Sequence, residues 1–569
     1  MNIDTYYQNF CKETFDVNGL LATFSTHCPQ NFNYAYDVID VIATAEPGRR
    51  AMVWCNECGE ERILTFGEIK RYSDMTANLL RAHGIRQGDM VMLALKRHYQ
   101  FWFCILALHK LGAVAINSAS MLTKKDLCYR FEAAGISAVI CTADGDLAGE
   151  VDAACAGLPD MKAKFLVAGS AGANAARSGW VDYNHALQTQ SANWQRIDTL
   201  STDPALLYFT SGTTGNPKMA LHDHTYPLGH ILSAKYWHNI QPDSLHLTVA
   251  DTGWAKASWG KIYGQWFLGA SLFVYDFNRF VAADLMQMIE KYHITTFCAP
   301  PTIYRFLIKE DLSQYDLSSI RHATTAGEAL NAEVFRKFYE HTGLRIMEAF
   351  GQTETTALTV NLAGSAPRPG SMGRPSPLYR LELVDTDGTP VPDGEEGELV
   401  VCLPDGGKQI GLFCGYYKNA EQTRKVWHDG MYHTGDIAWR DTDGYLWYVG
   451  RTDDVIKASG YRIGPFEIES VLMEHPAVLE CAVTGAADPV RGTVVKATVV
   501  LAGGYSASDM LANELQSYVK KQTAPYKYPR IVEFVDCLPK TFSGKIKRCD
   551  IRAGDRARAA APMPAMRRA

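Results

Sequence analysis

No apolar run in the sequence reaches the ~18 residues that a membrane-spanning helix needs. The longest candidate, "FWFCILALHKLGAVAI" at 101–116, is broken by His109 and Lys110. It reads as a buried helix passing into a strand. Also missing is an N-terminal basic segment followed by an apolar stretch. The chain opens "MNIDTYYQNFCKETF", so no secretory leader is expected. Neither charge is in excess: 56 Lys and Arg stand against 62 Asp and Glu, a net −6 over 569 residues. That balance gives no reason to expect a nucleic acid as partner. The 14 cysteines follow no regular framework, so reduced thiols and a cytoplasmic location are expected. The single CxxC, Cys55 and Cys58 in "WCNECGEE", has no second pair to complete a zinc site and reads as a hairpin turn. Finally, "TSGTTGNPK" at 210–218 is followed by Met219, not by the Ser or Thr that a Walker A loop places after its lysine.

What is present is a change of pattern along the chain. Residues 64–145 alternate helical spacing ("LTFGEIKRYSDMTANLLRAHGI") with short buried strands ("DMVMLAL", "AVAIN", "AVICT"). That alternation predicts an α/β unit with a largely parallel sheet. A second series follows, "ALLYFTSG", "HLTVAD", "SLFVYD", "TTFCAPP", "HATTAGE" and "RIMEAFG". Ligands in such folds gather at the carboxyl ends of the strands. From about 380 the pattern is all-β, with Asp-Gly hairpin signals in "VDTDGTPV" and "RDTDGYLWYVGR". After Arg451 a small α+β unit begins. The domains expected are therefore 1–452 and 453–569, with the Ala/Pro/Arg-rich end, 553–569, disordered.

The 210–218 loop follows a strand-like run. Gly212 and Gly215 permit tight turns that point amide N–H groups at a phosphate. Thr210, Ser211, Thr213 and Thr214 add hydroxyls, and Lys218 adds a mobile charge. With Met219 after the lysine, metal must be held elsewhere.

Four further segments occur in order with this loop: "EAFGQTE" (348–354), "YHTGD" (432–436), "GRTDDVIKASGYRIGPFEIE" (450–469) and "PKTFSGKIKR" (539–548). Together they resemble the adenylate-forming enzymes: acyl-CoA synthetases, luciferases and peptide-synthetase adenylation domains. The resemblance covers nearly the full length. "DTGWAKASWGKIYGQW", "DPVRGTVVKATVVL" and "APYKYPR" are most similar to medium-chain acyl-CoA synthetases. It implies a large N-terminal domain of two α/β subdomains plus a distorted β-barrel, and a small mobile C-terminal α+β domain.

In that family a carboxylate attacks the α-phosphate of ATP and expels pyrophosphate. The acyl-adenylate then passes its acyl group to a thiol. Two anions must first meet, so positive charge and oriented donors are required. The resemblance makes 210–218 the clasp over the β- and γ-phosphates. Glu354 is implied as magnesium ligand and Thr353 as contact to the α-phosphate. Gly327, Glu328, Glu348, Ala349, Phe350, Gly351 and Gln352 are implied around the adenine, Asp436 at the ribose hydroxyls, and Arg451 at the ribose or phosphate. Lys545 matches the lysine that bridges carboxylate and α-phosphate, and Asp453 matches the hinge. After rotation, Ser459, Gly460, Tyr461 and Arg462 line the pantetheine channel, and Arg462 and Arg491 suit the phosphates of CoA.

Acetate-specific relatives carry Trp just before "QTE", where this chain has Gly351. A deeper pocket is expected, for a medium-chain or branched short-chain acid. Trp254, Lys256, Trp259 and Cys298 are placed near it, with Trp259 able to refill part of the volume and Lys256 either running outward or touching a polar acyl group. The partners implied are a carboxylic acid, ATP with Mg2+, and CoA. No nucleic acid and no stable membrane insertion are expected, and the resemblance leaves room for a homodimer. Loading of a carrier protein and a catalytically silent nucleotide binder are the alternatives. Arg462, Arg491 and intact Lys545 and Glu354 weigh against them.

Overall fold

The computed structural model describes residues 1–156, 161–170, 175–210, 216–404, 407–458, 461–488, 491–541 and 545–560. The run at 101–116 behaves as its pattern predicts. Helix Gln100–Leu111 is buried along its whole length, Gly112 ends it in the left-handed conformation (φ +66°), and strand Val114–Asn117 follows. The CxxC lies on a hairpin. Strands Arg50–Asn56 and Glu61–Thr65 pair antiparallel, with Cys55 buried in the first and Cys58 exposed in the turn. All 14 cysteines are free. Among the described residues no helix is long and apolar enough to cross a membrane.

Two sheets carry the large N-terminal domain. Across the first the order is Lys218–Asp223, Pro204–Thr210, Val114–Asn117, Met90–Ala94, Ile136–Thr142, Ala163–Val167 and Val181–Asp182. All neighbours run parallel except the edge pair Lys218–Asp223 with Pro204–Thr210. Across the second the order is Arg374–Pro375, Thr359–Val360, Ile346–Phe350, His322–Ala326, Thr296–Ala299, Leu245–Thr248, Ser271–Asp276, Arg50–Asn56 and Glu61–Thr65. Its six central strands are parallel and its margins antiparallel. Strands buried on both faces need apolar residues at every position, which is why these segments show no alternation in the sequence. The all-β stretch forms a five-stranded antiparallel sheet of Arg380–Val384, Glu396–Cys402, Met431–Arg440, Trp427–His428 and Leu446–Arg451.

The small C-terminal domain has its own core, with Ile468, Leu472, Val483, Val495, Val499, Leu515 and Val519 packed together. Its sheet pairs Val478–Asp488 with Gly492–Leu501 and adds Ile531–Phe534. One expectation fails here. Residues 553–560 are not disordered, because helix Arg548–Ala560 runs through them, and 561–569 lie outside the described residues. Lys496 bonds Asp555, and Arg552 pairs with Asp454 at 2.5 Å. Those contacts join positions 59 and 98 residues apart, so local composition could not announce them.

The interior holds an unusual number of neutral histidines. Burial lowers His109, His222, His224, His230, His238, His246 and His322, with His222 and His224 at about 4 and His230 and His246 at about 3. Below pH ~6.5 an unfolded chain protonates these rings and the folded one does not. Stability is therefore full above that pH and declines as pH falls toward the folded values, each ring adding at most ~1.4 kcal/mol per pH unit. Glu348, pushed up to about 8 by burial, opposes them, as do Asp40, Glu396, Asp436 and Glu469, all raised by burial, but the seven rings outnumber these five carboxyls. The denaturant midpoint is expected to fall steadily from pH 7 to 5. A flat midpoint over that range would contradict the neutral assignment.

Candidate active site

Several of the implied nucleotide residues lie at carboxyl ends of strands, whereas Asp436 lies within strand Met431–Arg440 and Lys218 begins its strand. Gly351–Glu354 follow Ile346–Phe350, Gly327 and Glu328 follow His322–Ala326, and the phosphate loop joins Pro204–Thr210 to Lys218–Asp223. Thr210 and Lys218 are register partners, so the loop is closed at its stem. Tyr129 Oη donates to the Pro217 carbonyl at 3.0 Å. Ser211, Gly212, Thr213, Thr214 and Gly215 lie outside the described residues.

Glu354 is nearly buried, and Tyr416 Oη donates to its Oε1 at 2.8 Å. The same tyrosine ring carries the Lys218 ammonium, 5.1 Å from its centroid. Burial pulls Lys218 below the ordinary lysine value, while Glu354 pulls the other way. Magnesium prefers oxygen ligands and uses one or two carboxylates plus substrate phosphates, so this oriented carboxylate fits it. Among the described residues no cluster of three or more His, Cys, Asp or Glu offers an all-protein cage. Tyr416 was not legible as a site residue, since nothing in "GYYKN" marks which tyrosine meets Glu354. Tyr416→Phe is expected to raise the KM for magnesium-ATP roughly tenfold or more, the cost of one hydrogen bond to a charged group. Initial rates at varied magnesium-ATP check this, and an unchanged KM would sink it.

Gln352, Asp436 and Arg451 form one cluster. The Gln352 amide donates to Asp436 Oδ2 and to the Thr434 carbonyl (2.7 Å), and Tyr432 Oη donates to Gln352 Oε1 at 2.6 Å. Arg451 Nη1 lies 3.2 Å from Asp436 Oδ2 and 2.8 Å from the Thr434 carbonyl oxygen. Burial raises Asp436, and Arg451, Gln352, Tyr448 and Lys545 hold it down. Phe350 and Tyr448 face each other at 6.2 Å. Gly327 has φ +103°, a conformation that disfavours a side chain. Glu328 accepts from Thr302 Oγ1 at 3.1 Å and faces Arg305 at 3.7 Å. The carboxyl of Glu348 accepts the Leu330 N–H at 3.1 Å.

Lys545 stands at an exposed tip of the small domain. Its carbonyl accepts the Thr541 N–H at 2.7 Å, and its own N–H bonds Thr541 Oγ1 at 3.1 Å. From there its charge acts on both Asp436 and Lys256 of the large domain. Lys256 does not run outward: its Nζ donates to the Ala326 carbonyl at 2.7 Å. Burial lowers its pKa. Trp259, Cys298, Trp237, Ala326, Met347 and Ala349 form one apolar cluster beside it. The volume expected to open at Gly351 is filled. A Cβ there would stand 2.4 Å from the Trp259 indole and 2.5 Å from the Thr356 carbonyl oxygen. Trp254, half-buried, caps the short helix Ala255–Ala257.

At the junction, Arg451 Nε lies 3.9 Å from Asp453. The next residue, Asp454, is held from the other side by Arg552 and, at 3.6 Å, by Arg548. The implied CoA residues are not gathered with the nucleotide cluster. Tyr461 and Arg491 share a concavity lined wholly by small-domain residues, including Tyr526, Tyr528 and Arg530. The rings of Tyr461 and Tyr526 stack at 4.0 Å. Arg462 sits opposite Lys457 on the hairpin, and Ser459 and Gly460 lie outside the described residues.

Residues 39–417 match the family described as AMP-binding enzyme, and 467–545 match its C-terminal domain. The protein described as "Acyl-coenzyme A synthetase ACSM5, mitochondrial" of Homo sapiens is 42% identical over 92% of this chain and 91% of its own. "Acyl-coenzyme A synthetase ACSM3, mitochondrial" of Rattus norvegicus is 40% identical over 96% of this chain and 93% of its own. Among solved structures, the anthranilate CoA ligase AuaEII in complex with anthranoyl-AMP aligns with TM-score 0.85 at 28% identity, covering 94% and 99% of the two chains. A benzoate CoA ligase from Burkholderia xenovorans LB400 aligns with TM-score 0.79 at 28% identity, covering 92% and 100%. These relatives also overturn the cytoplasmic expectation, since the acyl-coenzyme A synthetases matched are described as mitochondrial. Free thiols and the residues of the N-terminus, on which that expectation rested, do not distinguish one reducing compartment from another. The chain belongs to the AMP-binding enzyme family and, within it, to the acyl-CoA synthetases, ligases that use ATP to activate a carboxylic acid as an acyl-adenylate and pass the acyl group to CoA.

Proposed function

We propose that the acid is a medium-chain or branched short-chain carboxylate and that the implied residues act as follows. The acid enters the apolar cluster of Trp259, Cys298 and Trp237, its carboxylate emerging near Lys256 and Lys545. ATP lies along the strand ends, with adenine beside Gly327, Glu328, Ala349 and Phe350 and with its ribose hydroxyls on Asp436. Burial raises Asp436, and Arg451, Gln352 and Tyr448, all within hydrogen-bonding reach of its carboxylate, offset that in part.

The acid oxygen attacks the α-phosphorus, the bond to the β-phosphate bridging oxygen breaks, and pyrophosphate leaves. Lys545 neutralises the two anions as they meet, and Thr353 donates to the α-phosphate. Lys218 and the loop stem at Thr210 hold the departing pyrophosphate. Magnesium bound through Glu354 would supply charge neutralisation on the phosphate oxygens.

The domain boundary is placed at 452–453. After adenylation the small domain turns about Asp453 and withdraws Lys545. The concavity of Tyr461, Arg491, Tyr526 and Arg530 is then the surface that receives the nucleotide end of CoA. Its thiol attacks the acyl carbon and AMP leaves.

One observation carries this reading: Gln352, Arg451 and Tyr448 converge on the buried carboxylate of Asp436 beside the 351–355 turn, and Lys545 of the small domain adds to the field there. The test is pyrophosphate release with straight and branched acids from two to ten carbons, with and without CoA. Turnover confined to medium or branched acids and dependent on CoA is expected. A preference for acetate, or multiple turnover that needs no thiol acceptor, would overturn it.

A further inference from the structure

Beneath the 351–355 turn lies a buried group to which none of these roles is assigned. Strand Lys218–Asp223 leaves the phosphate loop and runs under that turn. Alternate residues of a strand share a face, so Lys218, Ala220 and His222 point the same way. Lys218 reaches the Tyr416 ring. His222, fully buried, brings Nε2 to 2.9 Å from the carbonyl oxygen of Thr353. Facing an acceptor, Nε2 must carry the hydrogen. Burial keeps the ring neutral, its pKa lowered to about 4. Tyr226 covers its face at 3.9 Å, and Tyr226 in turn neighbours His230, at 4.7 Å, and Trp259 of the acid pocket.

The turn above is anchored through its side chains on either side of Thr353. Gln352 is tied to Asp436 and Tyr432, and Glu354 to Tyr416. Backbone bonds close it, from the Gln352 N–H to Thr355 Oγ1 at 3.0 Å and from the Thr355 N–H to the Gln352 carbonyl at 3.2 Å. The peptide joining Thr353 to Glu354 is a rigid plane. Rotating that plane moves the side chains on both its sides.

We propose that His222 is a positioning residue for adenylation: its Nε2–H fixes the Thr353–Glu354 peptide and so aims the Thr353 hydroxyl and the Glu354 carboxylate together. This rests on the roles assigned above to Thr353 and Glu354. Its source lies outside every motif, in the register of one strand under one turn.

The experiment compares two half-reactions in the full-length enzyme. Acid-dependent exchange of pyrophosphate into ATP reads adenylation, and thioester formation from supplied acyl-adenylate reads the second step. His222→Phe keeps a ring under Tyr226 and removes the donor. His222→Gln carries an amide N–H at the reach of Nε2, and His222→Asn stops one carbon short. His222→Phe and His222→Asn are expected to slow exchange by about 10²-fold, the scale of an ångström of misplacement, with the second step within a few-fold of the parent. His222→Gln is expected to recover most of the exchange. Parent-like exchange in His222→Phe would overturn the proposal. So would Gln and Asn variants that behave alike, or equal losses in both half-reactions. If His222→Phe does not fold, the Gln and Asn pair decides. Thr353→Val separates the underlying reading: unimpaired exchange there would remove the Thr353 role itself, whatever His222 does.

Discussion

Lys545→Ala is expected to slow acyl-adenylate formation by about 10²–10³-fold, the cost of removing one preorganised donor from a developing charge. Thioester formation from supplied acyl-adenylate is expected to stay within a few-fold of the parent. The asymmetry follows from where the lysine sits. It is exposed on the small domain, near enough to Asp436 and Lys256 of the large one to add to the field at both. Lys256 is already engaged with the Ala326 carbonyl and is held below the ordinary lysine value by burial, which leaves Lys545 as the mobile cation for the incoming pair of anions. Once the adenylate exists, two anions no longer have to be brought together, and the small domain can turn away. Lys545→Arg is expected to recover little, because a planar fork does not substitute for a compact ammonium on a flexible stem. Fold should be unaffected, since the removed side chain is solvated. Pyrophosphate exchange and the supplied-adenylate assay measure the two steps separately. Equal losses in both would show that the lysine serves the fold or the shared adenylate site rather than the first chemical step.

The family and its activity were legible because their motifs are short contiguous segments. "EAFGQTE" runs off the end of strand Ile346–Phe350, and "TGD" lies within strand Met431–Arg440. The burial pattern of helix Gln100–Leu111 and of the hairpin holding Cys55 was equally local. What could not be read is what depends on distant partners. Tyr416 meets Glu354 across 62 positions and His222 meets Thr353 across 131. Each of those residues alone looks like an ordinary core side chain. The misreading of the first part of the 553–569 tail has the same cause: its composition is that of a solvated segment, and Lys496 bonds Asp555 from 59 residues away. Gly351 misleads in a different way. A glycine in place of a large residue reads as released volume, but volume is shared, and a residue 92 positions upstream supplied the indole that fills it.

That indole governs the second large effect. Trp259→Ala is expected to move the preference toward longer or more branched acids, with relative kcat/KM gains of roughly tenfold or more for each methylene newly accommodated, at ~1–3 kcal/mol each. The ring belongs to the cluster with Trp237, Cys298 and Ala349 and reaches to 2.4 Å of where a Cβ on Gly351 would stand. Its removal therefore opens space at the strand end where the acid is proposed to lie. Stability is expected to fall by about 3–5 kcal/mol, the usual cost of an unfilled cavity from an aromatic truncation. Added acid should restore part of the loss by binding only the folded state. Gly351→Trp, by contrast, is not expected to create an acetate enzyme. Its first side-chain atom already collides with Trp259 and with the Thr356 carbonyl, and the Thr356 contact is backbone that cannot swing aside. Activity should drop for every acid, with no change in their ranking. The measurement is kcat/KM over acids of two to ten carbons for both variants. An unchanged chain-length profile in Trp259→Ala would place the acyl chain elsewhere. A clean shift to acetate in Gly351→Trp would mean that the Trp259 indole yields its place, and that this pocket is set by the glycine after all.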